Sequence, residues 1–337
     1  MKLKKIAAKF TASVLTALAL TGSQLALAQT TLLNVSYDVA REFYKDINTA
    51  FVANYKKTTG KDIKIDQSHA GSSAQARAVN DGLEADVVTM NTTTDVDFLA
   101  STGIVAKDWA QKFPNHAAPT SSTMLFLVRQ GNPKGIKDWD DLVKPGVQVI
   151  VVNPKTGGNG RMAYLAAWGA VRKKGGTDAQ AAEFVGKLYK NVPVLAKGGR
   201  DATTIFLQRN IGDVLITFES EVVSVNKEFG AGKVDAIHPS SSIVAENPVA
   251  VVERTVAKKG TGDAARAYLN FLYTDEAQDI AAQHAIRPSN PTILKKYAST
   301  FKPIALFTVS DYFGSFAEAQ KVHFNDGGQF DKLYVAK

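Results

Sequence analysis

Three stretches of this sequence set small residues and hydroxyl or amide side chains directly before an apolar helical pattern. They are "SHAGSSAQARAV" (68–79), "NPKTGGNGRMAYLAAWG" (153–169) and "KGGRDATTIFLQR" (197–209). A helix start has backbone N–H groups without an intrahelical acceptor and concentrates about half a positive charge. Glycine there lets a ligand approach the backbone closely. The chemistry that follows is the binding of a small anion. A fourth start, "VSYDVAREF", puts Asp38 where a helix begins. Its side chain reads as an N-cap with the carboxylate pointing away from an anion, while nearby backbone N–H groups stay available. One glycine-rich loop before a helix is ordinarily a capped turn. Three or four in one chain point to a ligand site.

Other chemistries find little support. No Gly-Lys-Ser or Gly-Lys-Thr closes any of the loops, and no G-x-S-x-G elbow occurs, so nucleotide and acyl-hydrolase readings lack their motifs. His69, His116, His238, His284 and His323 lie far apart, without the i, i+4 spacing of a helical metal pair, and read as structural. Glu219 and Glu221 in "FESEV" alternate along an expected strand and share a face. They read as polar contacts of a hinge, with a paired-carboxylate site as the alternative.

The elements that must position these loops alternate. Short apolar runs at 32–35, 63–65, 87–90, 124–128, 147–152 and 214–218 are separated by helical patterns, beginning with Phe43, Ile47, Ala50 and Phe51 at helical spacing. The expected fold is α/β, with two lobes that each hold a mostly parallel sheet flanked by helices, and the ligand in the cleft between them. Segments 120–129 and 215–221 read as the strands that cross between lobes. The expected division is a first lobe at 29–118 plus 219–290, a second at 119–218 and an aromatic-rich, helical C-terminal tail at 291–337.

Residues 1–28 read as a cleaved export signal: Lys2, Lys4, Lys5 and Lys9 precede an apolar run that ends in Ala26-Leu27-Ala28. Without that segment the formal charge falls from +8 to +4, and no Lys/Arg block remains, which speaks against nucleic acid as a partner. The exported chain contains no cysteine, which excludes a disulfide scaffold, a thiol nucleophile and a zinc–thiolate site. A chain of this length without staples must rely on core burial, and it suits a bacterial periplasm.

With these loops and strands, "LLNVSYD", "QSHAGSSAQA", "ADVVTMNTTTDVD", "NPKTGGNGRMAYLAAWGA", "KNVPVLAKGGRDATTIF", "IGDVLITFESEV" and "AYLNFLYTDEAQ" occur in order. Together they resemble the periplasmic sulfate/thiosulfate-binding proteins of bacterial ABC importers, from about residue 32 to the C-terminus. "QSHAGSS", "TDV", "GGR" and "FESEV" are closer to the thiosulfate-binding branch. The resemblance implies a monomeric two-lobe (type II) receptor, not an enzyme, that closes on a tetrahedral dianion and delivers it to membrane permease subunits. It implies no cofactor and no metal. It places ligand contacts on the Asp38 main chain, Ser72, the Gly157-Gly158-Asn159 turn, Gly199 and Phe218, with Arg161 and Arg200 supporting the loops.

Three positions depart from the family pattern. Gly157 stands where serine is common, Gly160 where alanine precedes the arginine, and Phe218 where the sulfate branch has tryptophan. Each lost hydrogen bond to an ion is worth about 1.5–3 kcal/mol. An aromatic wall at Phe218 suits the large, soft terminal sulfur of thiosulfate better than an indole donor would. A site of donors alone would also reject the proton of hydrogen phosphate, provided the Asp38 carboxylate stays out of it. The competing readings are the same fold bound to molybdate, phosphate or a sulfonate, and an exported sulfate- or phosphate-ester hydrolase using Glu219 or His69.

Overall fold

The computed structural model describes residues 29–334; the expected export signal and the last three residues of the tail lie outside them. In chain order the strands are β1 (Thr30–Tyr37), β2 (Ile63–Ala70), β3 (Val87–Thr89), β4 (Thr120–Ser122), β5 (Met124–Arg129), β6 (Val149–Val152) and β7 (Leu195–Ala196). They continue as β8 (Val214–Phe218), β9 (Val234–Ile237), β10 (Ser241–Ile243), β11 (Ala245–Asn247), β12 (Val249–Val251), β13 (Arg287–Pro288) and β14 (Ala305–Phe307).

Two sheets form the centres of two lobes. The first has the order β12-β3-β1-β2, and β1 runs parallel to both β2 and β3. Its Leu32, Val35, Val87 and Val88 are fully buried because helices cover both faces, and so these strands read as apolar runs. The helix Arg41–Thr59 packs on β2 through Phe43, Ile47 and Phe51 and stops at Gly60, whose φ of 71° is open to glycine at no steric cost. The second sheet has the order β7-β6-β8-β5-β9, with β6 parallel to β7 and β8 while β5 runs antiparallel to β8 and β9. It is a mixed sheet, less parallel than the alternation of elements implied.

The lobes are linked by a small antiparallel sheet, β11-β4-β13. Segment 120–129 holds β4, in the small antiparallel sheet, and then β5, in the second sheet. Segment 215–221 does not cross between lobes: β8 ends inside the second sheet, a turn follows, and Glu221 opens a helix. The chain stays with the second sheet through β9 and returns along β11, later than the expected boundary at 219. Strand β11 is three residues long with one apolar side chain, so its sequence gave little sign of it.

The C-terminal segment is helical but also contains β14, which pairs in parallel with β10. It lies on the helix Gly158–Lys173, where Tyr164 meets Phe324 and Phe330, and Trp168 meets His323. That coverage explains why residues 158–170 of this helix are all buried. A Cβ on Gly169 would come within 2.2 Å of the Phe307 ring, so only glycine admits the tail at this depth.

Candidate functional site

All the candidate loops leave the carboxyl ends of parallel strands, where an open α/β sheet leaves room for a ligand. In the first lobe, β1 delivers Asp38, β2 delivers Gly71 and Ser72, and β3 delivers Asn91 and Thr92. In the second, β6 leads to Gly157, β7 to Gly198 and β8 to Phe218. The two edges face each other and touch. A Cβ on Gly71 would lie 3.1 Å from the Thr156 carbonyl oxygen and 3.4 Å from that of Lys197, and one on Gly198 would lie 2.6 Å from Asp38 Oδ2.

Three helices therefore start at one place: Ser72–Asn80, Gly158–Lys173 and Gly199–Leu207. Their N-caps are Gly71, Gly157 and Gly198, none with a side-chain cap. The first N–H groups to bond back to a carbonyl are those of Gln75, Arg161 and Ala202. The preceding N–H groups, including those of Ser72, Gly158, Asn159 and Gly199, have no acceptor within their helices. Such a ring can compensate negative charge with peptide dipoles.

The cationic side chains beside the ring are engaged elsewhere. Arg161 Nη2 donates to Asp95 Oδ1 at 2.7 Å, Ser73 Oγ at 2.5 Å and Thr92 Oγ1 at 3.2 Å, and Nη1 donates to Gln320 at 3.1 Å. This ion pair joins the lobes, with both side chains over nine-tenths buried. Arg200 pairs with Glu228. Ser72 is buried beside the ring, but its hydroxyl donates to Asp95 Oδ2 at 2.5 Å.

Asp38 behaves differently from the expectation. Its side chain does not cap its own helical turn, whose N-cap is Tyr37, nor does it leave the cleft. Oδ2 accepts the Arg200 N–H at 3.1 Å across the cleft and Oδ1 accepts the Val39 N–H at 3.0 Å. Carboxylate and helix start attract each other, and burial pushes its pKa above the ordinary value. The cleft is thus not made of donors alone.

Phe218 ends β8 with its ring edge-on to Tyr37 at 6.4 Å, an apolar wall shared by both lobes. Glycine at 160 has a local cause: a Cβ there would lie 2.4 Å from the Val152 carbonyl oxygen. Glu219 and Glu221 do not share a strand face. Arg287 donates two hydrogen bonds to Glu219, at 2.7 and 3.0 Å, whereas Glu221 is fully buried and accepts from Thr203 Oγ1 at 2.6 Å. Burial pushes the Glu221 carboxyl up to about 7. His69 has both ring nitrogens occupied, by the Tyr37 carbonyl and Gln67 Oε1. Among the described residues no cluster of His, Cys, Asp or Glu could hold a metal ion.

Asn91 and the Asp95–Thr92–Ser73 cluster were missed as candidates. The available signal was the place of Asn91, Thr92 and Asp95 after "ADVVT", at the same strand edge as the other loops, with Ser73 next to Ser72 in "SHAGSSAQARAV".

A family model described as bacterial extracellular solute-binding protein matches residues 37–287. The chain belongs to that family. Within it, the chain is 55% identical to a thiosulfate-binding protein of Pseudomonas aeruginosa, over 96% of this chain and 98% of the relative. It is 49% identical to a sulfate-binding protein of Escherichia coli, over 90% of this chain and 92% of the relative. Among solved structures, the sulfate-binding protein SubI of Mycobacterium tuberculosis H37Rv superposes with a TM-score of 0.80 at 32% identity, covering 87% of this chain and 99% of that one. A two-lobe solute-binding fold accounts for helix starts that meet from opposite sides, because hinge closure brings together contacts that neither lobe holds alone.

Proposed function

We propose that this solute-binding protein is a monomeric periplasmic receptor for sulfate or thiosulfate that hands the anion to the permease of an ABC importer, with Asp38 (main chain), Ser72, Gly157, Gly158, Asn159, Gly199 and Phe218 around the ligand. The convergence of three helix starts with glycine N-caps from both lobes carries the reading. The relatives that match nearly the whole chain bear the names sulfate-binding and thiosulfate-binding, and this supports the choice of ligand. With Arg161 and Arg200 already paired, the ligand's charge falls to peptide dipoles and neutral donors, which suits a dianion that must be released again.

The inward carboxylate of Asp38 makes phosphate a genuine competitor, since a hydrogen phosphate could donate to it. Calorimetric titration of ligand-stripped, refolded protein with sulfate, thiosulfate and phosphate in one buffer tests the assignment. Tight binding of sulfate or thiosulfate, with phosphate binding more weakly, is expected. Phosphate binding equal to either would shift the assignment to a general oxyanion receptor, and no binding of any of the three would overturn it.

A further inference from the structure

Two carboxamides at the cleft hold a buried side-chain oxygen with no hydrogen-bond partner among the described residues: Asn91, beyond the end of β3, and Asn159, in the first turn of the helix Gly158–Lys173. They are 3% and 4% exposed, so water does not serve them readily. The Asn91 N–H donates to Ser72 Oγ at 3.4 Å, and a Cβ on Gly158 would sit only 2.0 Å from Asn91 Oδ1. The amide group of a first-lobe residue is thus laid against the helix start of the second. Asn159 Nδ2 donates to Thr217 Oγ1 at 3.2 Å, and the same nitrogen lies 3.5 Å from where a Gly199 Cβ would be.

A carbonyl oxygen turned toward a dianion repels it, and an unpaired buried one is uncompensated for its lost hydration. The two ends of a carboxamide have nearly the same shape, so a half-turn about the last side-chain bond exchanges acceptor for donor. For Asn159 that turn preserves the contact with Thr217, whose hydroxyl then donates to Oδ1. The N–H₂ group is then released from Thr217 and takes the place where the unpaired Oδ1 lay.

We propose that the side-chain amides of Asn91 and Asn159 are anion donors, one from each lobe, and that they supply the hydrogen bonding that a serine hydroxyl would give at Gly157. The inference rests on the receptor reading above. It extends that reading from backbone donors to two neutral side chains that act in concert only when the lobes meet.

The test is titration of the wild type and the N91A, N159A and N91D variants with sulfate and thiosulfate in one buffer, with a thermal melt of each ligand-free protein. N91A and N159A should each bind about tenfold to a hundredfold more weakly while the ligand-free melts stay close to wild type. N91D keeps the shape but offers no donor when ionised, and should bind more weakly than N91A. Unchanged affinity in N91A and N159A would overturn the inference alone, as would N91D binding like wild type or losses that merely track the ligand-free melts. A wild type that binds neither dianion would overturn the receptor reading and this inference with it.

Discussion

At the scale of single residues, the cleft is decided by where a few side chains turn. Phe218 sits against Tyr37 as an apolar wall. Phe218→Trp introduces an indole N–H and should raise affinity for sulfate relative to thiosulfate by about tenfold; a ratio unmoved in competition titrations would remove the wall from selectivity. Glu221 is the second such residue, with a folded pKa of about 7 against an ordinary 4.5. The folded state holds this proton more tightly than the unfolded one. The group's contribution to stability is therefore best below pH about 4.5, declines as pH rises toward about 7, and is at its worst above that. Glu221→Gln removes the ionisation, so its melting temperature should gain on wild type through that window and hold the gain above it. A pH–melting profile parallel to wild type across pH 4.5–8 would contradict this.

At the scale of elements, each helix start can hold an anion because its N-cap is glycine and its first N–H groups find no acceptor within the helix. One of these helices also carries the lobe-to-lobe bond: Arg161 on Gly158–Lys173 forms a buried pair at 2.7 Å with Asp95 on Thr93–Ser101. Breaking a buried pair by removing one partner costs about 3–5 kcal/mol, because the other charge is left uncompensated. Since the partners belong to different lobes, the cost should fall on the closed arrangement more than on the folding of either lobe. Arg161→Ala is accordingly expected to weaken ligand binding at least about tenfold while shifting the ligand-free melt much less. Equal losses in both measurements would instead make the pair a folding contact. The tail reaches this cluster through Gln320, which accepts a hydrogen bond from Arg161 at 3.1 Å.

At the scale of the whole molecule, two sheets with facing carboxyl edges and a three-stranded linker make a cleft that a ligand can bridge. A ligand that contacts both lobes adds its binding energy to the stability of the assembled chain. Saturation at about a thousand times the dissociation constant should stabilise the protein by about 4 kcal/mol. A clear rise in melting temperature with sulfate or thiosulfate, increasing with concentration and absent with chloride at equal ionic strength, is the expected outcome. A shift shared by all salts would indicate surface screening rather than capture.

Much of this was legible in the sequence because local physics writes it there. Glycines before helical patterns, buried apolar strands such as β1, β3, β6 and β8, and the absence of cysteine each reflect a short-range constraint visible in a few consecutive residues. The helix starts at Ser72, Gly158 and Gly199 were legible in that way. The tertiary structure alone decided what depends on residues far apart in the chain: that Asp38 caps a helix 162 positions later, that Arg161 pairs with Asp95, that Glu219 and Glu221 diverge, and that Asn91 lies against Gly158. Such contacts are chosen by which loops the two sheets bring together, and no single stretch of sequence carries that geometry.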